Sequence, residues 1–247
     1  MSLWAVSKAS RAPTFFEEKG NKSAYNSSGV LLDRDVIPSM GLKNEENTSV
    51  EFGYLGLWPA WGGQLDVRVY RDHVTNYIGD RRASDDVLNP YHPDGLIGKG
   101  KFFQYVNGGT LDVTGADAQL VWKPSRDFSL HLTQSFAQIK ASADIVDNDL
   151  PESSPDWTTS LLVNWRFAPG WNASAMVYHT DRMMWLSDGD HTKGYTRTDF
   201  KLSRQFKLGG MGAEWSAGVQ NLGDNYTEFR RQNVFTQRAY ATLRLDW

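Results

Sequence analysis

The 247-residue chain has no cysteine. That excludes disulfide staples, thiolate zinc sites and cysteine nucleophiles. It also lacks any apolar run of about 18 residues, so no helix can cross a membrane. Membrane strands stay open to it, because barrel strands alternate and never form such runs. Charge of one sign is missing too: 26 Lys and Arg face 29 Asp and Glu, a net charge of −3, with no basic block. A dedicated nucleic-acid binder would show a basic footprint. A secretory leader is not visible, since Trp4 and Val6 alternate with polar or small residues over 1–10. That opening reads as a strand already under way, and so as a piece of a longer or processed chain.

Period-2 alternation is what the sequence does have. Leu161, Val163, Trp165 and Phe167 share one face, opposite Ser160, Asn164 and Arg166, with Leu162 the exception. Ala213, Trp215, Ala217 and Val219 oppose Glu214, Ser216, Gly218 and Gln220. Ala239, Ala241, Leu243, Leu245 and Trp247 oppose Arg238, Tyr240, Thr242, Arg244 and Asp246. The pattern predicts ten strands, over 2–10, 45–58, 63–78, 102–122, 127–140, 157–167, 171–186, 194–208, 213–222 and 236–247. Many exceed the usual soluble strand of about 5–6 residues and match the roughly 9–11 of a tilted membrane strand.

The connections alternate in length. Long ones fall at 11–44, 79–101, 141–156, 187–193 and 223–235; short ones at 59–62, 123–126, 168–170 and 209–212. Gly and Pro in the short set are turn formers. Trp58, Trp61, Trp122, Trp171 and Trp215 lie beside the short turns, and Trp247 ends the chain on that side. Short turns, long loops and a girdle of aromatics describe an all-β, antiparallel up-and-down transmembrane β-barrel, with the short side periplasmic. A soluble β-sandwich would also alternate, but gives no reason for loop lengths to do so.

Four segments carry a resemblance. Ser7-Lys8-Ala9-Ser10-Arg11-Ala12-Pro13-Thr14 is similar to a strand-end S-x-A-x-R-A-P-T. Asn44-Glu45-Glu46-Asn47, running into Val50-Glu51-Phe52-Gly53-Tyr54, is similar to P-E-x-x-x-x-x-E-x-G. Asn107-Gly108-Gly109, with Gly115-Ala116-Asp117 and Trp122-Lys123-Pro124, is similar to N-x-G-x-x-x-x-G-x-E … W-x-P, with Asp117 in place of glutamate. Val219-Gln220-Asn221-Leu222-Gly223-Asp224-Asn225-Tyr226 is similar to V-x-N-L-x-D-x-x-Y. In this order the set resembles the C-terminal part of a TonB-dependent outer-membrane receptor. Trp247 stands where the family has its closing aromatic, which resembles the barrel-assembly signal. The loop after Tyr226 lacks the common Pro-Gly-Arg, and Asn89-Pro90-Tyr91-His92 does not substitute for the haem receptors' Asn-Pro-Asn-Leu.

The resemblance implies a 22-strand barrel holding an N-terminal plug, of which residues 1–247 would be the C-terminal barrel portion without the plug. It implies a home in the outer membrane of a Gram-negative bacterium. The partners implied are outer-membrane lipid and lipopolysaccharide, a siderophore-type ligand, the plug and TonB, and the barrel-assembly machinery, with no nucleic acid. The function implied is ligand-gated uptake of a scarce chelate, most often a ferric siderophore. The alternative is a self-contained ten-strand barrel acting as a protease, a lipase or a small pore.

Among the residues, the expected outer loops hold Arg81, Arg82, Tyr91, His92, Tyr226, Arg230 and Arg231. Arginine gives charge-assisted hydrogen bonds to anionic oxygens and tyrosine gives stacking with a polar tip, which suits an anionic ferric chelate. Lipopolysaccharide phosphates or water would suit the arginines equally. Glu51, Arg68, Arg166, Glu214, Arg238 and Arg244 alternate onto the polar face and would line a wet lumen or meet a plug. In a narrow closed barrel they would instead have to pair across it, because unpaired buried charge is costly. The five histidines, His73, His92, His131, His179 and His191, show no metal-ligand spacing, so no metal or cofactor is expected. Nothing joins Asp72 to His73, or Asp188 and Asp190 to His191, as an acid–base pair, so no catalysis is expected.

Overall fold

The computed structural model describes residues 1–39, 41–82, 103–145, 149–186 and 189–246. Ten antiparallel strands form one sheet: β1 Ser2–Arg11, β4 Glu45–Trp58, β5 Gly63–Thr75, β8 Leu111–Trp122, β9 Phe128–Ala141, β10 Trp157–Ala168, β11 Trp171–Thr180, β14 Tyr195–Leu208, β15 Met211–Gln220 and β18 Arg238–Asp246. Their order in the sheet is their order in the chain. This is an up-and-down meander, the wall of a β-barrel. The other elements belong to the long connections. A helix α1 (Phe15–Lys19) is followed by a four-stranded sheet of order β2-β3-β7-β6, from β2 Lys22–Tyr25, β3 Leu31–Val36, β6 Ile78–Arg82 and β7 Phe103–Asn107. Two small ladders, β12 (Met183–Met184) with β13 (His191–Thr192) and β16 (Tyr226–Thr227) with β17 (Val234–Phe235), complete the set.

Each expected strand is present, with shifted ends. The strand expected over 63–78 stops at Thr75, because Asn76 turns at φ 55°. The one expected over 102–122 is two strands broken at Gly109, whose φ is 78° and where a Cβ would come within 2.6 Å of the Ser142 hydroxyl. The first piece, β7, leaves the wall for the loop sheet. The strand expected over 171–186 ends at Thr180, and the one over 236–247 begins at Arg238.

Ladder register fixes the two faces, because side chains alternate with period 2. One row runs Trp4, Phe52, Val69, Ala116, Phe136 and Trp157 across six strands. The row one residue along carries Ala5, Glu51, Tyr70, Gly115 and Ala137. The first face is apolar and uncovered: Trp165 is 54% exposed and Phe200 49%. No second layer packs on it among the described residues, and the cluster of buried apolar residues (Leu111, Ile145, Leu150) lies at the connection after β9. A sandwich buries its apolar face against another sheet. This face can only be stable against hydrocarbon, so the wall is inside-out relative to a soluble protein.

Following ladder partners from Trp58 leads through Gly63, Trp122, Leu130, Val163, Ala175, Phe200 and Val219 to Ala239. Trp58 ends its strand at a short turn, yet Ala239 lies seven residues short of Asp246, the end of β18 on the same side. The stagger is close to one residue per strand. With about 3.3 Å of rise and 4.8 Å between strands, the strands tilt by about 35°, the value barrel closure needs. The short turns dock on one another. Lys123 N–H donates to Gly62 O (2.8 Å) and Gln205 N–H to Gly170 O (2.7 Å).

Candidate ligand site at the long-loop end

Each of the four segments quoted above supplies a residue that locks strand ends at the long-loop side: Arg11, Glu45, Asn107 and Asn221. The Arg11 guanidinium holds the carboxylates of both Glu45 and Glu17. Thr14 caps α1 in a reciprocal box with Glu17. Burial disfavours the Glu17 carboxylate, but hydrogen bonds from Thr14 and Arg11 outweigh it and keep its pKa below the ordinary range. Glu45 also accepts from Ile78 N–H (2.7 Å). The Asn107 side chain bridges Lys43 N–H, Lys43 O and Asn76 O at 2.7–3.0 Å. Asn221 turns at φ 54°, donates its N–H to Asp199 (2.9 Å) and its side-chain amide to Phe235 O (3.2 Å). Asp199 is itself held by Arg197 at 2.6 and 2.9 Å.

Above these locks, the connections after β9, β11 and β15 surround a cleft of about 1660 Å³. Two of them act as one body. Asp190 N–H donates to Phe229 O (2.8 Å), and Asp190 accepts from Arg231 N–H (3.0 Å). Trp185 meets Phe229 edge-on at 5.9 Å, and the Tyr195 hydroxyl bonds the Glu228 carboxylate. Tyr195, Tyr226 and Phe235 stack with centroids 4.0 and 5.0 Å apart. The third connection, after β9, sits on its own cluster of Ile145 and Leu150 over Leu111. Its ion pair to the others is Glu152 with His191, at 3.7 Å and exposed. Such a pair contributes little.

Among the described residues the cleft is lined by charges of both signs, the carboxylates Glu152, Asp156, Asp181 and Asp224 and the cations Arg182, Lys193 and Arg231, together with His179 and His191. His179 bonds Thr196 (2.8 Å) and Asp181 (3.3 Å). Among the described residues no cluster could hold a metal ion.

A family model described as TonB dependent receptor-like, beta-barrel, matches residues 1–222. The chain belongs to that family. The family is made up of transport receptors, not enzymes. Solved structures agree on the fold. The copper transporter OprC superposes with a TM-score of 0.66 at 16% identity, over 98% of this chain and 36% of that one. The ferric enterobactin receptor PfeA of Pseudomonas aeruginosa (G324V mutant) gives 0.65 at 14%, over 98% and 37%. The siderophore receptor PirA of Acinetobacter baumannii gives 0.66 at 14%, over 100% and 39%. This chain therefore spans under two fifths of the length of those receptors. No curated protein matches it.

Of the expected ligand residues that are described, Tyr226 and Arg231 meet at the cleft and Arg81 lies apart in the loop sheet. Arg81 is exposed in β6, paired in register with Gln104. Arg82 ends that strand, and Tyr91 and His92 lie outside the described residues. Tyr226 and Arg231 both line the cleft, but Tyr226 is 7% exposed within its stack. Arg230 lies over the Phe229 ring, 5.6 Å from its centroid. On the polar face, Arg68 pairs with Asp117 (3.1 Å) and Glu51 (3.7 Å), Glu214 accepts from Gln205 (3.0 Å), and Arg244 pairs with Asp246 (2.9 Å). These charges pair along the wall, not across a lumen. Arg166 and Arg238 have no ion pair among the described residues. Trp247 lies outside them. Sequence reasoning missed Tyr195, Glu228, Arg197, Asp199, His179 and Asp181. Nothing in a sequence pairs a strand residue such as Tyr195 with Glu228, 33 positions away in a loop.

Proposed function

We propose that this chain forms the C-terminal barrel portion of an outer-membrane receptor for TonB-dependent uptake of a scarce metal chelate, with a ferric siderophore as the first candidate. The reading rests on one observation: the family's wall carries a large cleft at its long-loop end, framed by one braced body and one loosely attached loop. A ligand would enter there, and gating would need a plug and TonB. The mixed charge of the described lining, four carboxylates beside three cations, favours a chelate of low net charge over a strongly anionic one. Neighbours named for copper and for siderophores make copper chelates the second candidate. The test is a gene deletion assayed for growth on single metal chelates under iron or copper limitation. Loss of at least one chelate, regained on complementation, supports the reading. Unchanged growth on all of them, with a heat-modifiable product near 27.9 kDa indifferent to metal supply, contradicts it and favours a self-contained barrel.

A further inference from the structure

The outward face carries few charges, and most are satisfied by the protein. At the long-loop end Lys8 pairs with Glu46 (2.8 Å), and Arg71 with Asp112 (3.1 Å). Arg204 differs. It faces outward in the short-turn half of β14, in one ladder row with Trp171 and Trp215. It has no carboxylate partner among the described residues. Its guanidinium lies over the Trp171 ring, 4.9 Å from the centroid, and Trp215 stands edge-on to Trp171 at 5.8 Å. An arginine on a lipid-facing wall is costly unless its head reaches the interface and an anion.

Directly toward the membrane centre from this trio lies an apolar groove of about 560 Å³. On β11 its floor is Ala173 and Ala175. Their ladder partners rise on both sides, Trp165 and Val163 on β10, Leu202 and Phe200 on β14. Beyond Leu202 and Phe200 the groove continues over Ala217 and Val219 on β15 to Ala239 on β18. Trp171 and Arg204 form the next outward row of the ladder from Ala173 and Leu202, on the short-turn side of the groove.

We propose that this trough and Arg204 together bind one glycerophospholipid of the leaflet on the short-turn side, an acyl chain lying on Ala173 and Ala175 and the phosphodiester on Arg204. Arginine gives a phosphate two parallel charge-assisted hydrogen bonds, and tryptophans hold the level of the headgroups. A second copy of this chain would also fill an apolar trough, but its outward carboxylates Glu46 and Asp112 lie at the opposite, long-loop end and are already paired with Lys8 and Arg71. The inference rests on the membrane-barrel reading above.

The test is native mass spectrometry of the protein extracted from membranes in mild detergent. Wild type is expected to keep one phospholipid per chain. Arg204→Gln, which stays polar and loses the charge, should lower the retained fraction by about tenfold. Ala175→Phe, which fills the trough without touching Arg204, should lower it as far, and Arg204→Lys should restore part of it. All three variants should stay in the outer-membrane fraction. Unchanged retention in Arg204→Gln or Ala175→Phe, or a bound lipopolysaccharide or second protein copy instead, would overturn the proposal alone. A wild-type protein outside the membrane fraction would overturn the barrel reading with it.

Discussion

At the short-turn end, Gly62 and Gly170 let neighbouring hairpins meet through backbone hydrogen bonds, and Trp171 and Trp215 pack on the outward face. At the long-loop end the same strands are tied by side chains: Arg11 on Glu45 and Glu17, Asn107 on three backbone groups, Asn221 on Asp199, Tyr226 between two rings. The short-turn end is built by local geometry and the membrane. The long-loop end is built by contacts between residues far apart in the chain. The first is what keeps a wall in a bilayer, and the second is what lets one scaffold carry different binding surfaces.

The wall itself gives the largest expected effect. Leu161 and Ser160 are neighbours on opposite faces. Leu161→Arg should destabilise the protein in lipid vesicles by about 2–4 kcal/mol, while Ser160→Arg costs much less, measured as paired urea unfolding curves. Equal costs would erase the distinction between the faces.

At the short-turn end, Gly62 has φ 65° and an added Cβ would lie 1.8 Å from Lys123 O. Gly62→Ala should cost about 1–3 kcal/mol in the same assay. Gly53→Ala, where the nearest atoms are 3.9 Å away, should be close to neutral.

The long-loop end should respond locally. Tyr226→Ala removes the middle ring of the stack and should expose the loop after β15 to protease without changing global unfolding. Tyr226→Phe keeps the rings and should protect the loop nearly as well. If both variants were cut alike, the stack would not be what orders it.

The smallest effect is on pH. Glu17 has a folded pKa below its unfolded one, so its contribution is full above the unfolded value of about 4.3. It is lost as pH falls through the folded value. Protease sensitivity of the connection between β1 and β4 should rise below about pH 4 in wild type. In Glu17→Gln it should be high at every pH.

How much of this was legible in the sequence follows the same division. Alternation placed Leu161 and Ser160 on opposite faces, and Pro and Gly marked the four short turns, because both signals depend on neighbours in the chain. The family-like segments were legible as words but not as functions. Only the structure shows Arg11, Asn107 and Asn221 to be strand-end locks. The loop sheet was not legible, since β2, β3, β6 and β7 are short and pair across 83–102 and the length of β4 and β5. Of the cleft lining, only Tyr226 and Arg231 were among the residues expected from the sequence. Residue chemistry suggested arginines for an anion, whereas the cleft carries four carboxylates among its charges.

The absence of cysteine makes the central claim directly testable. Single cysteines placed at 160, 161, 163 and 164 of β10 can be challenged, in intact membranes, with a maleimide that does not enter lipid. The account predicts labelling at 160 and 164 and protection at 161 and 163. Uniform labelling at all four would contradict a wall that turns one face to lipid and the other to water.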